Sequence, residues 1–224
     1  MLLPHRAVVF DLDGTLLDSI EDLADAMNAA LGANGLPAGR GVAEHKHMVG
    51  DGVGEYVLRA VPAEKRHDEA LVARVTADYR AAYAKGWRNK TRPYGGIVKL
   101  LHELDRRGVR AAVLSNKPDD TTRATTAAFL GIERFAVVRG AIDGVPLKPD
   151  PAAALAVAEQ MEIAPAECAY VGDTATDMRT ARAAGMFAVG ALWGFRDADE
   201  LRAGGAEVLA EAPMDVLGVL KLGG

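Results

Sequence analysis

Two carboxylates stand one residue apart in Asp11-Leu12-Asp13-Gly14-Thr15-Leu16, directly behind the apolar run 7–10. A carboxylate can attack phosphorus, and a second one beside it can pass a proton to the leaving oxygen. Asp and Gly also build ordinary turns, so the motif taken alone fits a plain acidic turn as well. Ser115-Asn116-Lys117 follows the run 109–114. A hydroxyl and free N–H groups at a helix start suit a phosphate oxygen, although helix capping alone would account for them. Lys148-Pro149-Asp150-Pro151 offers a compact, mobile positive charge able to neutralise a phosphate and a carboxylate together, with prolines steering the chain into the next helix, and a surface lysine before a turn fits it equally well. Gly172-Asp173-Thr174-Ala175-Thr176-Asp177 sets two aspartates four apart, one at a strand end and one at a helix start. Such a pair can hold a hard cation on oxygen, and Mg²⁺ fits because it favours one or two carboxylates with water and substrate phosphate; helix capping by Asp173 would explain one aspartate but less easily both.

The elements needed to position these residues are legible as an alternation. Apolar, β-branched runs at 7–10, 109–114, 136–138, 169–171, 187–191 and 207–209 are separated by stretches with helical spacing. Ile97, Leu100, Leu101 and Leu104 share one helical face closed by Gly108, and 119–130, 151–161 and 174–184 repeat the pattern. This order predicts an α/β fold: a doubly wound parallel sheet, Rossmann-like, with helices on both faces. In such sheets ligands sit beyond the carboxyl ends of the strands, where all four motifs fall. Residues 18–92 break the rhythm with two amphipathic patterns, Ile20, Leu23, Met27 and Leu31, then Leu71, Val72, Val75, Tyr79 and Tyr83, and no convincing strand between them. The expected division is therefore a catalytic core of 1–17 and 93–224 with an all-helical insert at 18–92. The return path 85–93 carries Lys85, Arg88, Lys90 and Arg92 without an acid and is expected to be a solvated linker.

Composition bounds the function classes. The chain has 224 residues, half of them apolar and a quarter charged, with net charge −5, which argues against a nucleic-acid groove. Its single cysteine, Cys168, excludes an internal disulfide framework and a Cys-rich zinc site. The longest uncharged apolar stretch, 183–195, is too short to span a bilayer. Pro4, His5 and Arg6 interrupt the N-terminal apolar run before a signal-peptide core forms. A cytoplasmic enzyme is expected, monomeric or weakly dimeric, without membrane or nucleic-acid partners.

With these motifs the chain resembles the haloacid-dehalogenase-like phosphohydrolases, in particular the phosphoglycolate-phosphatase-like branch with a helical cap after the first motif. The resemblance covers essentially the whole chain and is most specific at 8–19, 140–151 and 169–196. It implies Asp11 as the nucleophile that becomes an aspartyl-phosphate and Asp13 as general acid/base, with Thr15 helping to position that acid. It implies Ser115 and the Asn116 main chain as ligands of the transferring phosphoryl group, neutralised by Lys148. Mg²⁺ would be held by Asp11, the Asp13 carbonyl and Asp173, with Asp177 a ligand or one step removed. Dehalogenases and phosphonate hydrolases of this type have no acid at the position of Asp13, so its presence favours phosphate esters.

The loop 48–54, with Gly50 and Gly52, looks like the cap loop of phosphoglycolate phosphatases, where glycines let backbone approach a small substrate. A simple turn into the next helix explains it almost as well. His45, Lys46 and His47 just before it could contact an anionic tail but read more readily as a solvated charge cluster, His102 as structural, and Trp193-Gly194-Phe195-Arg196 as packing plus a turn as readily as a role near the cap. The leading expectation is hydrolysis of a small phosphorylated metabolite, 2-phosphoglycolate first. A broad sugar-phosphate phosphatase, a pyrophosphatase and a hexose-phosphate mutase stay open within the superfamily. Outside it, a signalling receiver module uses a similar residue set, but it has no need of Asp13 or the long insert.

Overall fold

A computed structural model describes residues 5–220. The chain divides into two compact units, Asp18–Arg92 and the remainder, Met1–Leu17 with Pro93–Gly224. The outermost residues of the second, 1–4 and 221–224, lie outside the described residues.

The larger unit is built on a parallel sheet of six strands: β1 (Ala7–Phe10), β4 (Arg110–Pro118), β5 (Val137–Ala141), β6 (Cys168–Gly172), β7 (Phe187–Ala191) and β8 (Val208–Ala210). Two-residue strands β2 (Leu17–Asp18) and β3 (Arg92–Pro93) form a separate small sheet. The six run in the order β5-β4-β1-β6-β7-β8, so the winding reverses at β1. One arm proceeds through β4 to β5, and the other through β6 to β8. A crevice at the carboxyl ends beside such a reversal is where open α/β sheets bind ligands. Pairing of Val9 with both Ala112 and Tyr170 fixes the register on either side of β1.

Burial on both faces explains the runs of apolar residues. Val8, Phe10, Val113 and Val171 point into one core layer with α5 (Ile97–Arg106) and α10 (Val216–Val219). Their neighbours Ala7, Val9, Leu114 and Tyr170 point into the other, against α7 (Ala152–Gln160) and α8 (Ala175–Ala184). Period-two alternation thus feeds two cores at once. The fold is the expected doubly wound α/β arrangement with a helical insert. One boundary differs: β4 runs on through Ser115–Pro118, and α6 (Asp119–Phe129) begins only after it. Ser115 and Asn116 therefore stand on extended backbone, not at a helix N-terminus. Pro118 contributes by driving Lys117, the residue before it, out of helical conformation, so the helix starts only beyond it.

The smaller unit holds α1 (Ile20–Ala33), α2 (Val42–Lys46), α3 (Val53–Ala60) and α4 (Glu69–Gly86). Buried Ile20, Leu23, Met27 and Leu31 of α1 and Leu71, Val75, Tyr79 and Tyr83 of α4 match the expected faces, whereas Val72 is only half-buried. Tyr79 lies edge-on to Tyr56 at 5.5 Å and stacks with Tyr83 at 5.9 Å. One expectation fails here. His45 is not solvated: it is fully buried, with Nδ1 2.7 Å from the Tyr56 hydroxyl. In the 85–93 segment Lys85, Arg88, Lys90 and Arg92 are exposed, as expected of a solvated linker, but acids of the same unit also tie it down. Asp22 accepts from Lys90 N, Thr91 N and Thr91 Oγ1, Lys90 Nζ pairs with Asp25 at 2.8 Å, and Arg92 pairs with Asp18 at 3.0 Å. Among the described residues no helix is long and apolar enough to cross a membrane.

Candidate active site

The loop after β1 brings the first motif to the reversal point. Asp11 N donates to Val171 O at 3.0 Å, extending the ladder toward β6 by one residue. Fully buried Leu12, Leu16 and Leu17 anchor the turn, closed by Leu16 N and Leu17 N on Leu12 O. Gly14 has φ +92°, and any Cβ there would collide with the Asp173 carboxylate. Glycine is thus required both for the left-handed backbone and for the close approach.

The end of β6 supplies the fourth motif. Asp173 is fully buried; its Oδ1 accepts from Thr15 Oγ1 and its Oδ2 from Phe195 N, both at 2.8 Å. Thr15 was expected beside Asp13, but the turn at Gly14 sends its hydroxyl to Asp173 instead. Trp193 Nε1 donates to Thr15 O at 2.8 Å, and a Cβ at Gly194 would strike Asp173. The 193–195 turn therefore buttresses this carboxylate, a role beyond packing that its sequence alone did not single out. Thr174 caps α8, its Oγ1 accepting from Asp177 N at 3.3 Å, and Asp177 closes the capping box through Oδ2, which accepts from Thr174 N at 3.1 Å.

Lys148 joins the two ends. Its Nζ lies 2.7 Å from Asp11 Oδ1, 2.7 Å from Asp177 Oδ1 and 3.3 Å from Leu114 O. Asn116 holds the lysine's main chain from both sides, with Nδ2 donating to Lys148 O at 3.1 Å and Oδ1 accepting from Lys148 N at 2.9 Å. The Tyr170 ring lies 5.8 Å from the ammonium. Asp13 turns the other way, and Lys117 Nζ sits 2.8 Å from each of its oxygens. The register of β4 on β5 shifts between Leu114 and Pro118, so strand alternation alone did not single out Lys117 as a neighbour of the site.

The edge thus gathers Asp11, Asp13, Asp173 and Asp177 against Lys117 and Lys148. Burial pushes the Asp11 carboxyl up to about 7 against the pull of Lys148, and the charge of Asp177 adds to the rise. Burial, then the charges of Asp11 and Asp177, push Asp173 well above the usual carboxylate range. Burial works against the Lys148 ammonium, but the carboxylates of Asp11 and Asp177 outweigh it and hold it charged. One oxygen each of Asp11, Asp173 and Asp177 lies within 4.8 Å of the others. An all-oxygen donor set with surplus negative charge suits a hard divalent cation. Gly50 (φ +119°) and Gly52 (φ +90°) belong to the helical unit, ahead of α3.

A family model for haloacid dehalogenase-like hydrolases matches residues 5–185. A phosphoglycolate phosphatase of Xanthomonas campestris pv. campestris is 35% identical over 211 residues, 93% of either chain. One of Xylella fastidiosa is 32% identical over 209 residues, covering 93% of this chain and 90% of that one. Among solved structures, a hydrolase from Pseudomonas syringae superposes with TM-score 0.78 at 28% identity over 96% of this chain and 97% of its own. A Lactobacillus delbrueckii subsp. bulgaricus structure, provisionally named a phosphoglycolate phosphatase, reaches 0.90 at 28% identity over 97% and 99%. By sequence over most of its length, and by fold, the chain belongs to the haloacid dehalogenase-like hydrolases.

Proposed function

We propose that the chain is a Mg²⁺-dependent phosphatase of small phosphate monoesters, with 2-phosphoglycolate its best substrate. In this reading the sheet-bearing unit is the catalytic core and the helical unit a cap. The observation that carries the reading is Asp11 at the sheet's reversal point, with the Lys148 ammonium on one oxygen and two further buried aspartates beside it. The relatives named phosphoglycolate phosphatase support the choice of substrate.

Asp11 Oδ1 is engaged by Lys148, which leaves Oδ2 outside that ion pair to attack phosphorus. The ester P–O bond breaks as the Oδ2–P bond forms, and Asp13 delivers a proton to the departing alkoxide oxygen. In the second half, water loses a proton to Asp13 and attacks the aspartyl-phosphate at phosphorus, which frees Asp11 and inorganic phosphate. Ser115 Oγ and the Asn116 N–H hold the phosphoryl oxygens, and Lys148 offsets their charge. Asp11, Asp173 and Asp177, with the Asp13 carbonyl, are the residues that would hold Mg²⁺. When bound it supplies positive charge that lets an anionic nucleophile approach a phosphate dianion. Thr15 and the 193–195 turn keep Asp173 in place. Gly50 and Gly52 are assigned to substrate selection.

Phosphate release with and without Mg²⁺, from 2-phosphoglycolate beside sugar phosphates, pyrophosphate and nucleotides, tests the reading. A Mg²⁺-dependent preference for 2-phosphoglycolate is expected. Broad release without that preference would overturn the substrate, and no release from any of them would overturn the phosphatase.

A further inference from the structure

Lys117 has no part in the reaction just described, yet its ammonium lies 2.8 Å from both oxygens of the acid that the reaction needs. The pair is largely shielded from water, the Lys117 side chain being 6% exposed and that of Asp13 17%. The lysine also rises from a fixed base. Lys117 O accepts from Thr122 Oγ1 at 3.1 Å and Lys117 N donates to Ser115 Oγ at 3.2 Å. Strand β5 passes so close that a Cβ on Gly140 would stand 2.6 Å from Lys117 O. These contacts fix the main chain from which the ammonium extends.

We propose that Lys117 selects the leaving alcohol, by pairing with a carboxylate carried one carbon away from the ester oxygen. The inference rests on the phosphatase reading above, with Asp13 as the leaving-group acid. Asp13 must then lie at hydrogen-bond distance, about 2.7 Å, from the ester oxygen. In the phosphate ester of an α-hydroxy acid, ordinary bond lengths put the carboxylate oxygens about 3 Å from that same oxygen. A cation 2.8 Å from both Asp13 oxygens can therefore reach the carboxylate once one of those oxygens turns from it to the ester.

Charge leads to the same residue. A substrate with both a phosphate and a carboxylate needs two separate cationic groups from the chain. Lys148 is taken up by Asp11, Asp177 and Leu114 O on the phosphoryl side. Lys117 stands on the leaving-group side. A neutral alcohol of equal size offers it no anion, so the preference is for anionic leaving groups and not for small ones. Lysine suits the task because its charge is compact and takes one carboxylate oxygen without a fixed fork.

The test compares kcat/KM for 2-phosphoglycolate and for 2-hydroxyethyl phosphate, nearly the same size but with a neutral leaving group. Wild type, Lys117→Met and Lys117→Arg are each assayed with Mg²⁺. Because the two esters are compared within one preparation, their ratio is independent of how much of a variant is folded. Wild type should favour the carboxylated ester. Lys117→Met should cut that preference by about a hundredfold, chiefly by raising KM for 2-phosphoglycolate, as expected for losing one partner of a shielded charge pair. Lys117→Arg should keep much of it. An unchanged ratio in Lys117→Met overturns the proposal, whether both rates fall together, as for a residue that only positions Asp13, or neither falls. Wild type that hydrolyses both esters without preference overturns the role of Lys117 and leaves the phosphatase standing. Wild type that releases phosphate from neither ester overturns the phosphatase reading and the role of Lys117 together.

Discussion

Both units bury carboxylates, and they treat them in opposite ways. In the helical unit Asp22 is surrounded by donors: Lys90 N, Thr91 N and Thr91 Oγ1 all point at it, and it ties the end of the insert to its first helix. At the sheet edge Asp11, Asp173 and Asp177 are crowded against one another, and burial drives Asp11 and Asp173 toward their neutral forms. The same contrast holds for the polar residues around them. His45 and Tyr56 bond to each other inside the helical unit, whereas Lys148 divides its donors among two carboxylates and a carbonyl. A buried acid met by neutral donors is part of the scaffold. Buried acids forced together gain only when something positive arrives, and that excess of negative charge is what supports the proposed reaction at the sheet edge.

Substitutions should widen that contrast or abolish it. Asp11→Asn is expected to reduce phosphate release by several orders of magnitude while leaving the protein folded, and even to raise Tm in EDTA because it removes a crowded charge. Substantial residual turnover would break the assignment of Asp11 as nucleophile. Asp13→Asn should cost about 10²- to 10⁴-fold in kcat on alkyl phosphates, as for loss of a general acid. A wild-type rate there would remove Asp13 from the leaving-group step.

Stability against pH should separate the two regions next. With Asp11 raised to about 7, the folded protein keeps a proton between about pH 4 and 7 that the unfolded chain has released. The metal-free protein should therefore lose stability as pH rises through that window, by a few kcal/mol. Mg²⁺ favours the ionised carboxylates, so the Tm gained on adding it should grow with pH. A gain that is the same at pH 5 and pH 8 would contradict the crowded-acid picture. The smallest effect is expected in the helical unit, where Asp22→Ala should lower unfolding free energy by about 2 kcal/mol in urea titrations. Its activity should fall only as far as its folded fraction does. A catalytic defect beyond that would end the distinction between scaffold and reactive acids.

Much of this was readable in the amino-acid order. The AVVF run before Asp11, the glycine after Asp13 and the Thr174–Asp177 capping pair are local: periodicity, turn conformation and helix caps are set within a few residues. The alternation of six short runs with helical stretches determined the α/β class, the insert at 18–92 and the collection of four motifs at one sheet edge. Partners were another matter. Thr15 meets Asp173 across 158 positions, Lys148 meets Asp11 across 137, and Lys117 meets Asp13 across 104. Those pairings follow from the register of β1 on β4 and β6 and from a turn at Gly14 that leaves no room for a side chain. The burial of His45 and the clasp of Asp22 on Thr91 likewise needed helices packed in three dimensions. Hydrogen bonding and charge act over a few ångströms, so the sequence determined which groups reach the sheet edge, and the tertiary structure decided which of them touch.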